Sequence, residues 1–130
     1  GQGGGVLGGG RSEGTAVAPT LLRNVQPKSI AFREETFGPI AAITSVCDAD
    51  EAIRLANDSR YGLSAAIWTA DLDRAAQLAR RLQAGSVFVN AVVRSDSRLP
   101  IGGVKKSGYG RELAQTGIRE FCATKTLFVA

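Results

Sequence analysis

The chain has 130 residues, with 16 Lys+Arg against 12 Asp+Glu, a formal charge of +4, two cysteines, and neither histidine nor methionine. Without histidine there is no Ser-His-Asp or Cys-His nucleophile pair, no HExxH zinc site and no imidazole acid or base. Cys47 and Cys122 alone cannot build a structural zinc site, so chemistry falls to carboxylates, lysines, thiols, a bound cofactor or groups outside the chain.

The length suits one domain that buries roughly 65–70% of its unfolded surface. A hydrophobic content of 44% and a charged content of 22% are those of a soluble globular protein. No apolar run approaches the ~20 residues that span a bilayer, and the amino end lacks the basic and apolar regions of a signal peptide. Two cysteines make no disulfide framework, which points to a reducing, cytoplasmic setting. The missing methionine points to a chain that starts inside a longer protein. The basic residues are scattered; only Arg80-Arg81 and Lys105-Lys106 are adjacent, and neither pair is interleaved with stacking aromatics. The charge therefore reads as a solvated surface, with no nucleic-acid or membrane partner.

Residues 1–15 are too glycine-rich to pack a core element and read as a loop or frayed end. Gly3-x-Gly5-x-x-Gly8 formally matches the dinucleotide fingerprint, but no strand precedes it and the following residues open a helix poorly, so it is rejected. Residues 16–130 carry the domain. Residues 39–46 read as a strand. Asp48 then caps a helix, with Glu51 completing a capping-box pair, and Asn57-Asp58-Ser59 ends it. Residues 63–69 are a second strand. Thr69 or Asp71 caps the clearest helix, whose apolar face is Leu72, Ala75, Ala76, Leu78, Ala79 and Leu82, and Gly85 stops it. Residues 86–90 are a third strand. A long Gly- and Ser-rich stretch leads to Gly110, followed by a short helix over residues 111–117 and a final strand at about 124–129. Strands alternating with helices predict parallel pairing, hence an α/β fold: a parallel-sheet β-α-β-α-β unit with a C-terminal strand. The long loop leaves the carboxyl end of the third strand, where ligands gather in such sheets.

Two loop segments invite functional readings. The stretch Gly102-Gly103-Val104-Lys105-Lys106-Ser107-Gly108-Tyr109-Gly110 resists a phosphate-loop reading, because both lysines precede the glycine they should follow. It reads as a tight backbone loop that lets chain segments approach closely. Glu34-Glu35-Thr36-Phe37 stands before the first strand. Paired acids beside an aromatic suit acid/base work, or ribose hydroxyls with the ring against a flat heterocycle, or simply a charged turn with Phe37 in the core.

Four motifs taken together resemble a known family. They are Glu34-Glu35-Thr36-Phe37-Gly38-Pro39, Ala56-Asn57-Asp58-Ser59-Arg60-Tyr61-Gly62-Leu63, Gly85-Ser86-Val87-Phe88-Val89-Asn90, and the loop from Pro100-Ile101 through Arg111-Glu112. In this order and spacing they resemble the carboxyl-terminal part of the catalytic domain of NAD(P)-dependent aldehyde dehydrogenases, from about Val6 to the chain end. Residues 90–100, with Gly117-Ile118-Arg119-Glu120-Phe121 and Lys125-Thr126, look most like the succinate-semialdehyde dehydrogenase branch.

The resemblance implies a division of roles. Glu35 would hold the nicotinamide-ribose hydroxyls of NAD or NADP, and Phe37 would pack near the nicotinamide. Ser95 would help bind the distal carboxylate of the aldehyde substrate, with Arg94 and Arg98 as neighbouring charges. Ile101 would border the pocket where the family usually has phenylalanine. The last strand would join the interface of a homo-oligomer. The family's nucleophilic cysteine, general-base glutamate, oxyanion asparagine and coenzyme domain correspond to positions upstream, so no catalytic residue is assigned here and the chain alone is expected to be inactive. Cys47 and Cys122 read as packing cysteines. The competing reading is a stand-alone, non-catalytic α/β module that dimerises or binds a partner through its C-terminal strand.

Overall fold

The computed structural model of the chain describes residues 4–130. It divides into two compact units, Gly1–Leu55 and Ala56–Ala130.

In the first unit, β1 (Gly5–Gly8), β4 (Thr20–Arg23) and β5 (Ile40–Ala42) form a three-stranded sheet in the order β1-β4-β5. β1 runs antiparallel to β4, and β4 runs parallel to β5 with Thr20 opposite Ile40 and Leu22 opposite Ala42. The ladder continues past β5: Ile43 N–H donates to Leu22 O at 2.8 Å and Val25 N–H to Ile43 O at 3.0 Å. Val25 is buried there, and Thr20 uses its hydroxyl to accept from Gly10 N–H at 2.9 Å and donate to Ala18 O at 2.8 Å. Between β1 and β4 lies the small hairpin β2 (Ser12–Glu13) and β3 (Ala16–Val17). The single helical turn α1 (Ile30–Arg33) lies in the crossover from β4 to β5. α2 (Ala49–Asn57) then starts from a variant of the capping box, in which Glu51 reaches back to the N–H of the residue before the cap. Asp48 Oδ1 accepts Glu51 N–H at 2.8 Å, and Glu51 Oε2 accepts Cys47 N–H at 2.8 Å. Ile53 and Leu55 are its buried residues.

The second unit is built on a β-α-β crossover. β6 (Ser64–Ile67) and β7 (Ser86–Val89) pair in parallel, Ser64 opposite Ser86 and Ile67 opposite Val89, joined by α3 (Leu72–Ala79). Asp71 caps α3 by accepting Arg74 N–H at 2.9 Å, and Ala75 is fully buried. Two asparagines close the unit. Asn90 bonds Thr69 through both ends of its amide, accepting from N–H at 2.8 Å and donating to O at 2.7 Å, which extends the β6–β7 pair by a side-chain rung. Asn57 donates to Arg81 O and accepts from Gln83 N–H, both at 2.8 Å, pinning the chain between α3 and β7. Beyond β7 come a 3₁₀ turn at Lys105–Ser107 and the helix α4 (Ala114–Glu120).

The mixed α/β class and parallel strands follow the sequence reading, but the expected β-α-β-α-β unit does not share one sheet, because β5 pairs with β4 while β6 and β7 form a sheet of their own; five further particulars differ. Residues 5–8 and 12–13 are strands where a loop was expected, because a backbone ladder supplies what glycine-rich propensity does not; residues 1–3, with Gly3 of the rejected fingerprint, lie outside the described residues. α3 ends at Ala79, short of Leu82, as Arg81 and Leu82 turn back on Leu78 and Ala79 with i→i−3 bonds. α4 begins three residues late because Glu112 is held in a bridge to Ile101 and Leu113 takes φ 63°. Residues 124–129 form no strand, since a strand needs a ladder partner and the described chain offers none. Cys47 and Cys122 are exposed rather than packed.

Candidate functional site

Glu35 and Phe37 lie in the first unit, on the irregular segment between α1 and β5. Both are exposed, Phe37 at 95%, so Phe37 is not in the core that the described residues form. A carboxylate has acceptor capacity for two vicinal hydroxyls, and an open aromatic face two residues away can cover a flat ring. A cleft of about 580 Å³ follows directly in sequence, lined by Gly38, Pro39, Ile40 and Ala41 against Pro19 and Thr20.

Ser95 and Ile101 belong to the second unit, where a cleft of about 430 Å³ brings both to its wall with Ser107, Tyr109, Arg111 and Glu112 among the other lining residues. The long loop after β7 forms this cleft by folding on itself. Ile101 and Glu112 exchange backbone bonds, N–H to O at 2.9 and 2.7 Å. Arg111 Nη1 donates to Gly103 O at 3.1 Å and Gly110 O at 2.6 Å, stapling the two limbs together. The same loop is zipped to residues 57–62. Val104 N–H donates to Gly62 O at 3.0 Å, Lys106 N–H to Arg60 O at 2.9 Å, and Ser107 Oγ accepts Gly62 N–H at 3.0 Å. Lys105 Nζ donates to the carbonyls of Asn57 at 2.7 Å and Ser59 at 3.0 Å, satisfying the end of α2 rather than a phosphate.

The charges near Ser95 are arranged differently from the sequence expectation. Arg98 is paired within the loop: its Nε and Nη2 grip both carboxylate oxygens of Asp96 at 2.9 and 2.6 Å, and its N–H donates to Asp96 Oδ1 at 3.0 Å. These bonds hold the Asp96 carboxyl down to about 2, far below the usual carboxylate range, with the Arg94 charge helping. Asp96 was missed in the sequence; its signal is an acid two residues before an arginine in a turn, closed here by Leu99 N–H on Asp96 O at 2.9 Å.

The two thiols lie in different surroundings. The Cys47 thiol is pushed up, first by its hydrogen bond to Glu51 and then by that carboxylate's charge, the opposite of what a reactive thiolate needs. Cys122 Sγ donates to Ile118 O at 3.4 Å. Among the described residues, no three His, Cys, Asp or Glu side chains gather as a metal site, and no helix is long and apolar enough to cross a membrane.

Comparison with known proteins places this geometry. The model of the aldehyde dehydrogenase family matches residues 2–127. The chain belongs to the aldehyde dehydrogenase family. It is 52% identical over 125 residues to the NAD(P)+ succinate semialdehyde dehydrogenase Sad of Escherichia coli strain K12, a match covering 95% of this chain and 27% of that protein. It is 49% identical over 122 residues to an NADP+ succinate-semialdehyde dehydrogenase of Deinococcus radiodurans, covering 92% and 26%. The solved succinic semialdehyde dehydrogenase of Streptococcus pyogenes, in complex with NADP+, superposes with a TM-score of 0.91 at 34% identity, over 98% of this chain and 29% of that one. The aldehyde dehydrogenase chain thus spans about a quarter of the length of the curated relatives it matches.

Proposed function

We propose that this chain is the C-terminal part of the catalytic domain of an NAD(P)+-dependent aldehyde dehydrogenase that oxidises succinate semialdehyde or a related aldehyde to the acid. The observation that carries the reading is the cleft whose wall holds Ser95 and Ile101 together, in a chain whose relatives include two named succinate-semialdehyde dehydrogenases. The bound coenzyme supplies the hydride acceptor. Glu35 accepts the two hydroxyls of the nicotinamide ribose, and the open ring of Phe37 lies against the nicotinamide and shields it from water. Ser95 Oγ–H donates to the distal carboxylate of the aldehyde, and Ile101 gives the alkyl chain an apolar wall in place of an aromatic ring.

The Cys47 thiol is pushed up by its hydrogen bond to Glu51 and by that carboxylate's charge, which disfavours the thiolate this chemistry uses. On this reading turnover requires groups outside these residues, and the 130-residue chain is inactive alone. In the purified chain, mixed with succinate semialdehyde and NAD+ or NADP+, absorbance at the reduced-nicotinamide band stays flat. Turnover that persists through further purification overturns the reading.

The whole protein is a cytoplasmic homo-oligomer on this reading. Residues 124–129 supply the joining strand, with Leu127, Phe128 and Val129 exposed at 84, 84 and 81% and ready to complete a ladder with another chain. Light scattering that returns a strict monomer for the full-length polypeptide removes that part.

A further inference from the structure

The turn that carries Ser95 is held by its own side chains and backbone. Asp96 receives three bonds from Arg98, two of them a side-chain fork, and its carbonyl accepts Leu99 N–H. Ser97 O accepts Ala114 N–H at 3.1 Å, tying the turn to the start of α4, and the Ile101–Glu112 bridge closes its far side. A short loop that would otherwise sample many conformations is thus fixed at three points, and Ser95 is the residue immediately before the first of them. A planar guanidinium meeting a carboxylate through two parallel bonds fixes orientation as well as distance.

We propose that Asp96 is a positioning residue: through its fork with Arg98 it holds the Ser95 hydroxyl at the cleft wall, and it thereby sets the preference of the pocket for aldehydes with a distal carboxylate. The inference rests on the proposed role of Ser95. Asn is isosteric with Asp but offers one acceptor and one N–H, so Asp96→Asn turns one arm of the fork into a donor-donor clash without adding bulk.

The test uses the full-length polypeptide that carries this chain, with NAD+ or NADP+ as coenzyme. The readout is the ratio of kcat/KM for succinate semialdehyde to kcat/KM for butanal, a neutral aldehyde of equal carbon number. Ser95→Ala lowers this ratio about tenfold, the worth of one hydrogen bond to a charged group. Asp96→Asn lowers it roughly fivefold by raising the KM for succinate semialdehyde. The double variant falls no further than Ser95→Ala, because the fork acts only through Ser95. A merely structural role for Asp96 moves both aldehydes alike and leaves the ratio fixed. If Ser95→Ala lowers the ratio while Asp96→Asn leaves it fixed, or the two effects add, the positioning role is overturned and the substrate reading stands. If Ser95→Ala leaves the ratio fixed, the carboxylate role of Ser95 falls, and the positioning role with it.

Discussion

Gly85 makes the most local test of how the second unit holds its cleft. It precedes β7 with its N–H donating to Gly62 O at 3.0 Å. A Cβ there would overlap the carbonyl oxygen of Gly102 and stand 2.8 Å from the Gly102 carbonyl carbon. Two carbons are at their optimum near about 3.5 Å, so the pair is short by roughly 0.7 Å. Both sides of the contact are backbone, and neither can rotate out of the way. In Gly85→Ala the loop at Gly102 must therefore withdraw. The bonds that zip it to residues 60–62 are strained with it: Val104 N–H to Gly62 O, Lys106 N–H to Arg60 O and Gly62 N–H to Ser107 Oγ. Overpacking costs about 1–3 kcal/mol and each lost hydrogen bond about 0.5–1.5, so the expected loss is on the order of 3–5 kcal/mol.

Urea denaturation of the full-length polypeptide reads that loss, and hydrogen exchange at the amides of Gly62, Val104 and Lys106 locates it. Gly38→Ala serves as the control, because nothing lies within 4 Å of the Cβ it would add, and it should stay within about 0.5 kcal/mol of the parent. If Gly85→Ala also stays within that margin and leaves the three amides as protected as before, close backbone approach is not what fixes this loop.

Other expectations follow from single groups. Asp71→Ala removes the acceptor for Arg74 N–H and should cost about 1 kcal/mol, with faster exchange confined to the first turn of α3. Glu51→Gln removes the carboxylate that raises the Cys47 thiol, so alkylation by iodoacetamide should set in at lower pH; an unchanged rate profile refutes the assignment. The Asp96 carboxyl falls from an ordinary 3.8 to about 2 in the folded chain, first through the Arg98 side chain and then its backbone N–H. A depressed folded value means that its stabilisation is complete above the unfolded value and is lost as pH falls through about 2. A carbon-detected titration of Asp96 with a midpoint near 4 would contradict the fork.

How much of this was legible depends on how local the determining interaction is. The starts of α2 and α3 were readable because their caps are written within three residues, Asp48 with Glu51 and Asp71 with Arg74 N–H. The strand at residues 5–8 was not, because its ladder partner lies at Leu21–Arg23, in another stretch of chain, and β pairing overrides local preference. The end of α3 and the start of α4 were displaced for the same reason: Asn57 holds Arg81 O, and Ile101 holds Glu112. At the site, Ser95 and Ile101 were named through the resemblance to a family, and the folded loop brings both to one cleft. Asp96 was passed over because a short acid in a Ser-rich loop reads as a turn former; its fork is visible only when the turn is closed.

The exposed side chains connect fold to function. Among the described residues the buried apolar set is small, Val25, Ile53, Leu55 and Ala75, while Phe37, Tyr109, Phe121 and Phe128 are almost wholly in water. Covering one such aromatic side chain gains about 1.5–3 kcal/mol, so each is a contact that the described residues leave unmade. On the proposed reading those contacts have different destinations. Phe37 meets the flat ring of a coenzyme, Phe128 enters a ladder with another chain, and Tyr109 and Phe121 line the cleft that receives the aldehyde. The loop around that cleft, by contrast, satisfies its backbone internally through Arg111, Ser107 and the Ile101–Glu112 bridge. Rigid loop polar groups beside uncovered apolar rings form a surface ordered before binding, which lowers the conformational cost of closing a substrate site on it.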